Sequence, residues 1–143
     1  MNQSPALASI PAASAVALSN ATPANVRSMT LGAGTYLVWG VVNAALAAAT
    51  VSAIAASLSL SSGALASQPG QNVSPAILFP EPIAQRLPGL TTATGTETVG
   101  IGPTVVTVLP NQTATLYLVA QASFSAGSVG AYGTIFAMPL PTN

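Results

Sequence analysis

Four side chains make up the entire charged inventory of this 143-residue chain: Glu81, Glu97, Arg27 and Arg86. There is no Lys, Asp, His or Cys. General acid–base catalysis needs a group whose pKa can be tuned close to the working pH. A nucleophilic Ser or Thr needs a base beside it, and a catalytic zinc needs His, Cys or carboxylate ligands. Only the two glutamates qualify, and neither sits in a calcium-loop pattern or beside an evident partner. The abundant Ser and Thr have no His or Lys to activate them and read as ordinary hydroxyls. The expectation is therefore no enzyme, no catalytic residue, no cofactor and no metal. The charges at 81 and 97 read as groups that solvate a loop. The sequons at Asn20, Asn72 and Asn111 carry little weight in a chain so rich in Ser and Thr.

The same inventory bears on partners. Nucleic acid affinity comes largely from Lys and Arg neutralising phosphates. Two arginines balanced by two glutamates give zero net charge and no basic face, so no nucleic acid partner is expected. Steering of any partner by long-range charge should be weak. A disulfide scaffold is excluded, and the redox compartment stays open. Half of the residues are hydrophobic and only 5% are aromatic, which argues against disorder and implies a core of Ala, Val, Leu and Ile. A chain of this length buries about two-thirds of its unfolded surface, enough for one domain. A surface so poor in charge suits a protein covered by neighbours better than a free monomer.

Two readings compete for how these residues are arranged. Residues 36–56 are uncharged and long enough to cross a bilayer as a helix. Against a membrane span stand Asn43, Thr50 and Ser52 within the run, its alanine content, and the lack of flanking Lys or Arg. The period-two reading accounts for the same letters: Ile54, Ala56, Leu58 and Leu60 alternate with Ala55, Ser57 and Ser59, and Ser61-Ser62-Gly63 reads as a turn. Leu116, Leu118, Ala120, Ala122 and Phe124 likewise alternate with Thr115, Tyr117, Val119, Gln121 and Ser123. A last run from Ala131 to Met138 carries Tyr132, Thr134, Phe136 and Met138 on one face. With a turn at 126–128, the last two strands read as a hairpin. Strands are expected at 28–31, 35–46, 50–60, 104–109, 115–125 and 131–138, with Gly32-Ala33-Gly34 as the turn between the first two.

Residues 1–26, rich in Ala, Ser, Pro and Asn, read as an extended N-terminal arm, with a short strand at Ala15–Ser19. They lack the charged start of a secretory signal. The arm suits strand addition to a neighbour's sheet edge, because backbone hydrogen bonds need no charge. Residues 27–143 then form an all-β antiparallel sandwich of jelly-roll type. A long irregular connection is expected at 68–103, where Pro and Gly cluster. It reads either as a binding loop or as a crossover holding one or two short strands. Several strands are apolar on both faces. One face must pack the core, so the other either meets a neighbour or lies under the arm of the same chain. Tyr117, Val119, Tyr132 and Phe136 are the candidate oligomer or capsid interface.

The segments 32–43 (GAGTYLVWGVVN) and 113–140 (TATLYLVAQASFSAGSVGAYGTIFAMPL) resemble C-terminal modules of bacteriophage virion proteins. The matching letters are Gly34, Thr35, Tyr36 and Leu37, then Tyr117, Leu118, Val119, Ala120, Phe124, Gly127, Tyr132, Gly133, Ile135 and Ala137. The resemblance spans roughly the final third and a short early stretch. It departs at Met138-Pro139-Leu140-Pro141, where such modules carry a basic residue. It implies a compact jelly roll similar to the tumour-necrosis-factor and C1q class, usually oligomeric. Such modules serve as fibre knobs and as capsid decoration or cement proteins. With no heptads or collagen repeat to build a stalk, the expectation is a cement protein on the capsid surface of a virion, reached after synthesis in the host cytoplasm. It would contact the major capsid protein and further copies of itself, as a dimer or trimer, and no membrane. The alternative is a receptor- or glycan-binding knob, for which Trp39, Tyr36, Tyr117 and Tyr132 would supply the rings.

Overall fold

A computed structural model describes residues 5–65, 77–78, 85–88 and 92–141, without the side chains of 77–78, 85–88 and 92–93. The described residues form nine strands: β1 (Ala6–Ile10), β2 (Val16–Ala17), β3 (Ala24–Leu31), β4 (Gly34–Ser59), β5 (Ile77–Leu78), β6 (Gln85–Pro88), β7 (Thr92–Val108), β8 (Ala114–Phe124) and β9 (Ser128–Pro139). A single 3-10 turn, Ala12–Ser14, separates β1 from β2. Every described pairing is antiparallel. The sheet folds over on itself, nearly closed like a barrel, and its halves face each other as the two layers of a sandwich. The first layer holds β1, β2, β9, the first half of β4, β7 and β5. The second holds β3, β8, the second half of β4 and β6. The chain changes layer at most of its connections, the winding of a jelly roll.

The centre of the molecule is a bent ribbon. One flank of β4 pairs with β9 from Tyr36↔Pro139 to Ala47↔Ser128, and then with β8 from Val51↔Phe124 to Ser59↔Tyr117. The other flank pairs with β7 and then β6. Thus β8 and β9 are successive partners of one strand and not a hairpin, and the expected turn at 126–128 is a corner in a nearly continuous line. The expected strands 35–46 and 50–60 are likewise one strand. The physical reason is shared chemistry: bulges and tight turns both call for a residue at positive φ. Gly127 supplies it at φ 72°, and a Cβ there would collide with the carbonyls of Ala47 and Ala48. On β4 the corner is Ala48 at φ 49°, whose N–H donates to Thr94 Oγ1 at 3.1 Å. The Ser125 N–H to Thr50 O bond (3.0 Å) and the Thr50 N–H to Ala126 O bond (3.2 Å) close it. Strands that switch layers through such bends make the corners of sandwiches.

Two further expectations change, and one rival reading is removed. Residues 92–103, assigned to an irregular connection, belong to β7. Pro103 is tolerated because the register slips beside it, between Val38↔Thr104 and Gly40↔Ile101, where no regular ladder bond is lost. The rest of the Pro-rich connection lies outside the described residues, apart from 77–78 and 85–88. The arm is not free: β1 and β2 pair with β9 of the same chain, and Leu18 is buried. Residues 36–56 lie within β4, which removes the helical membrane span at that segment. No helix among the described residues is long and apolar enough to cross a membrane.

The core lies between the layers. Val38, Val42, Ile101 and Ile135 face Ile54, Leu58, Leu116 and Leu118, all essentially without exposure. Each such side chain contributes about 1.5–3 kcal/mol by leaving water. The layers approach so closely at Gly40 that a Cβ there would stand 3.1 Å from Leu118 Cδ1. No buried side-chain N or O among the described residues lacks a partner. Asn25 holds the turn at 61–63 by donating to Ser62 Oγ (2.7 Å) and accepting from the Gly63 N–H (2.7 Å).

Candidate interaction surface

Alternation in β4 sends Tyr36, Val38 and Val42 inward and leaves Leu37, Trp39 and Val41 on the outer side of the first layer. The register then assembles those outward residues with partners from distant parts of the chain. Phe136 of β9 stands between Leu7 of β1 and Trp39 of β4, forming one row across three strands. Met138, Leu37 and Val105 form the next. Trp39 and Phe136 stack with ring centroids 5.1 Å apart and an interplanar angle of 11°. Such a pair adds about 0.5–1.5 kcal/mol beyond its area. Close approach of β9 to β4 depends on Gly133, where a Cβ would strike the Val41 carbonyl.

Two hollows flank the stack. The register slip sets two residues of β7, Gly102 and Pro103, opposite the single Trp39, and Gly100 and Gly102 have no side chains to fill the space beside the ring. The result is an open groove of about 600 Å³ whose walls include Leu37, Trp39, Val41 and Pro103. On the other side a smaller hollow of about 120 Å³ lies among Leu7, Trp39, Phe136 and Met138. Leu7 is 63% exposed, Val105 46% and Met138 44%, and these are the exposed large hydrophobic residues of the described chain. Hydroxyls and amides rim the patch as side-chain pairs: Ser9 with Thr134 at 3.0 Å, Thr35 with Thr107 at 3.3 Å, and Thr98 donating to Asn43 at 2.8 Å.

Charge is absent from this surface among the described residues. Arg27 lies in β3 of the other layer, and Glu97 shares the parity of the inward-facing Val99 and Ile101. Chemically, the face offers apolar area, two stacked rings and neutral polar groups. That is what a contact surface needs. No group of three or more His, Cys, Asp or Glu comes together among the described residues.

The four residues singled out from sequence divide between the two layers. Phe136 and Tyr132, both partly exposed, lie on the outer face just described, and Tyr132 sits opposite Asn43. Tyr117, also partly exposed, lies on the second layer between Ser28 and Ser59. Val119 has the outward parity of that layer but is 0% exposed, so within the single chain it offers no surface to a partner. The structure therefore does not bring the four together. Trp39, Leu7, Leu37, Met138 and Val105 were missed as a group. The signal for two of them, Leu37 and Trp39, was present, since residues 36–41 of β4 are apolar at both parities. No protein-family model matches this chain, and no curated protein matches its sequence.

Proposed function

We propose that this chain is a non-catalytic structural protein of a phage virion, which binds the outer surface of the capsid and cements neighbouring capsomers through apolar and backbone contacts. The observation that carries the reading is the uncharged apolar face centred on Trp39 and Phe136. Contiguous exposed apolar patches mark interaction sites on soluble proteins. Here the patch accompanies a side-chain inventory with almost nothing for chemistry or charge steering. Backbone contacts have a natural place at β1, which pairs on one side only among the described residues and so presents a ladder edge for strand addition. The wording shared with phage virion modules supports the assignment to a particle.

The test is reconstitution. Purified protein added to particles that lack it should bind, raise the temperature at which they rupture, and stay bound in 1 M NaCl, because apolar contacts are not screened. Release by moderate salt, or binding without any gain in particle stability, overturns the cement reading. A receptor- or glycan-binding knob remains the second reading, favoured by the partly exposed Trp39 ring beside a groove. Sugar recognition also needs polar groups aimed at hydroxyls, and this groove has few. Binding of the isolated protein to host cells, with none to particles, would decide for the knob.

A further inference from the structure

We propose that the partner of the Trp39 face is a second copy of the same face, paired about a two-fold axis that runs parallel to the strands between Phe136 and Trp39. The proposal deepens the assembly reading and rests on it only in treating this face as a contact surface.

The face is self-complementary in the order of its features. Across the face the sequence of features is a projecting Leu7 on β1, the Phe136 ring on β9, the Trp39 ring on β4, and the groove at Gly102-Pro103 on β7. Adjacent strands lie about 4.8 Å apart, so the projection and the groove stand at roughly equal distances, about 7 Å, on either side of the midline between the rings. All four features belong to the same row, because the β7 irregularity falls opposite Trp39. A two-fold axis along that midline exchanges left and right while keeping the rows aligned. It seats Leu7 of each copy in the groove of the other and sets each Trp39 against the other copy's Phe136. In the next row it brings Met138 of one copy over the other's Leu37. Each contact occurs twice, as an isologous interface requires.

Charge and area agree with this occupant. With no Asp, Glu, Lys, Arg or His on the face among the described residues, two copies meet without like-charge repulsion and without desolvating an unpaired ion. Four strands and about eight residues of length span roughly 19 Å by 26 Å. The footprint is then about 500 Å² per copy and on the order of 1,000 Å² in total, the lower end of specific interfaces. A weak, concentration-dependent dimer is the expected state. Such a dimer leaves the rest of each protomer free to hold a different capsomer, which is how a staple works.

The absence of native cysteine makes the test clean. In the full chain carrying L7C and G102C together, the two positions lie on β1 and β7 of one copy, with two strands between them, too far apart for an internal disulfide. Mild oxidation should therefore give a covalent dimer on a non-reducing gel, whereas either single variant should cross-link at least tenfold more slowly. Sedimentation velocity from 1 to 100 µM should show a dimer in wild type, and at least a tenfold weaker one in L7A and in G102L. A Cβ at Gly102 meets nothing within 4 Å, so the side chain of G102L starts in open space at the groove, and a urea melt of the variant checks that the fold is kept. In the L7A/G102L double variant, which exchanges projection and groove, the dimer should return. A wild-type chain that stays monomeric at 100 µM overturns the proposal. So does a dimer indifferent to these variants, a trimer, or an L7C single variant that cross-links as fast as the pair. A dimer that fails to bind particles leaves the pairing intact and removes the cement function; a monomer that decorates particles does the reverse.

Discussion

The outer faces of the two layers begin from the same kind of sequence and end in opposite states. On the second layer Ala55, Ser57, Ser59 and Val119 occupy outward positions, yet all are buried within the single chain. On the first layer Leu7, Val105 and Met138 occupy outward positions and remain exposed. Both faces have Ser or Thr interspersed with apolar side chains, and composition does not separate them. The difference teaches that apolar residues at both parities of a strand report a demand for cover on both sides. They do not report whether the chain itself or another molecule meets it.

That contrast can be broken or sharpened by substitution, with folding measured by urea melts at low micromolar protein so that association does not contribute. Leu118→Ala, beneath the second layer, should have the largest effect, a loss of about 4 kcal/mol from a core site that cannot collapse around the cavity. Gly133→Ala should cost about 3 kcal/mol, because its methyl meets the Val41 carbonyl and forces β9 away from β4. It should also move Phe136 off Trp39, visible as a change in near-ultraviolet circular dichroism. Val119→Ala should cost about 2 kcal/mol, the transfer of two buried carbons plus part of a cavity. If it proves neutral, the second layer's outer face is not closed in solution and the comparison fails. Val105→Ala on the first layer should change stability by less than about 0.5 kcal/mol, as exposed positions do. The smallest effect should be that of salt: between 0.1 and 1 M NaCl the association constant should move by less than about threefold, since no charge pair is there to be screened.

Much of the architecture was legible in the letters. Period-two alternation located the strands around 28–31, 115–125 and 131–138 and placed Leu116, Leu118, Ala120 and Ala122 on the inner side. The Gly32-Ala33 and Ser61–Gly63 turns were also plain. The corner at Ala126-Gly127 was misread because a residue at positive φ serves a hairpin and a bulge equally well; only the partner strand distinguishes them. Residues 92–103 were misread for a related reason: Gly95, Gly100, Gly102 and Pro103 resemble loop composition, although Val99 and Ile101 keep strict inward parity. The arm was seen as extended, which β1 is, but its pairing with β9 joins residues from opposite ends of the chain. Of the candidate surface, Phe136 and Tyr132 were found from sequence. Leu7 was not, because nothing near it in the chain announces the aromatic pair it lies beside.

What the sequence determined by itself was the kind of chemistry the protein can do and the parity of its strands. Both depend on residue identity and on local backbone geometry, which repeats every two residues whatever the partner. Which outward positions end up covered was decided only by the tertiary structure. Register and layer order are set by contacts between segments far apart in the chain, such as Leu7 with Phe136 and Phe136 with Trp39. Those contacts, and not any local pattern, left Leu7, Val105 and Met138 open on one face and covered Ala55, Ser57, Ser59 and Val119 on the other.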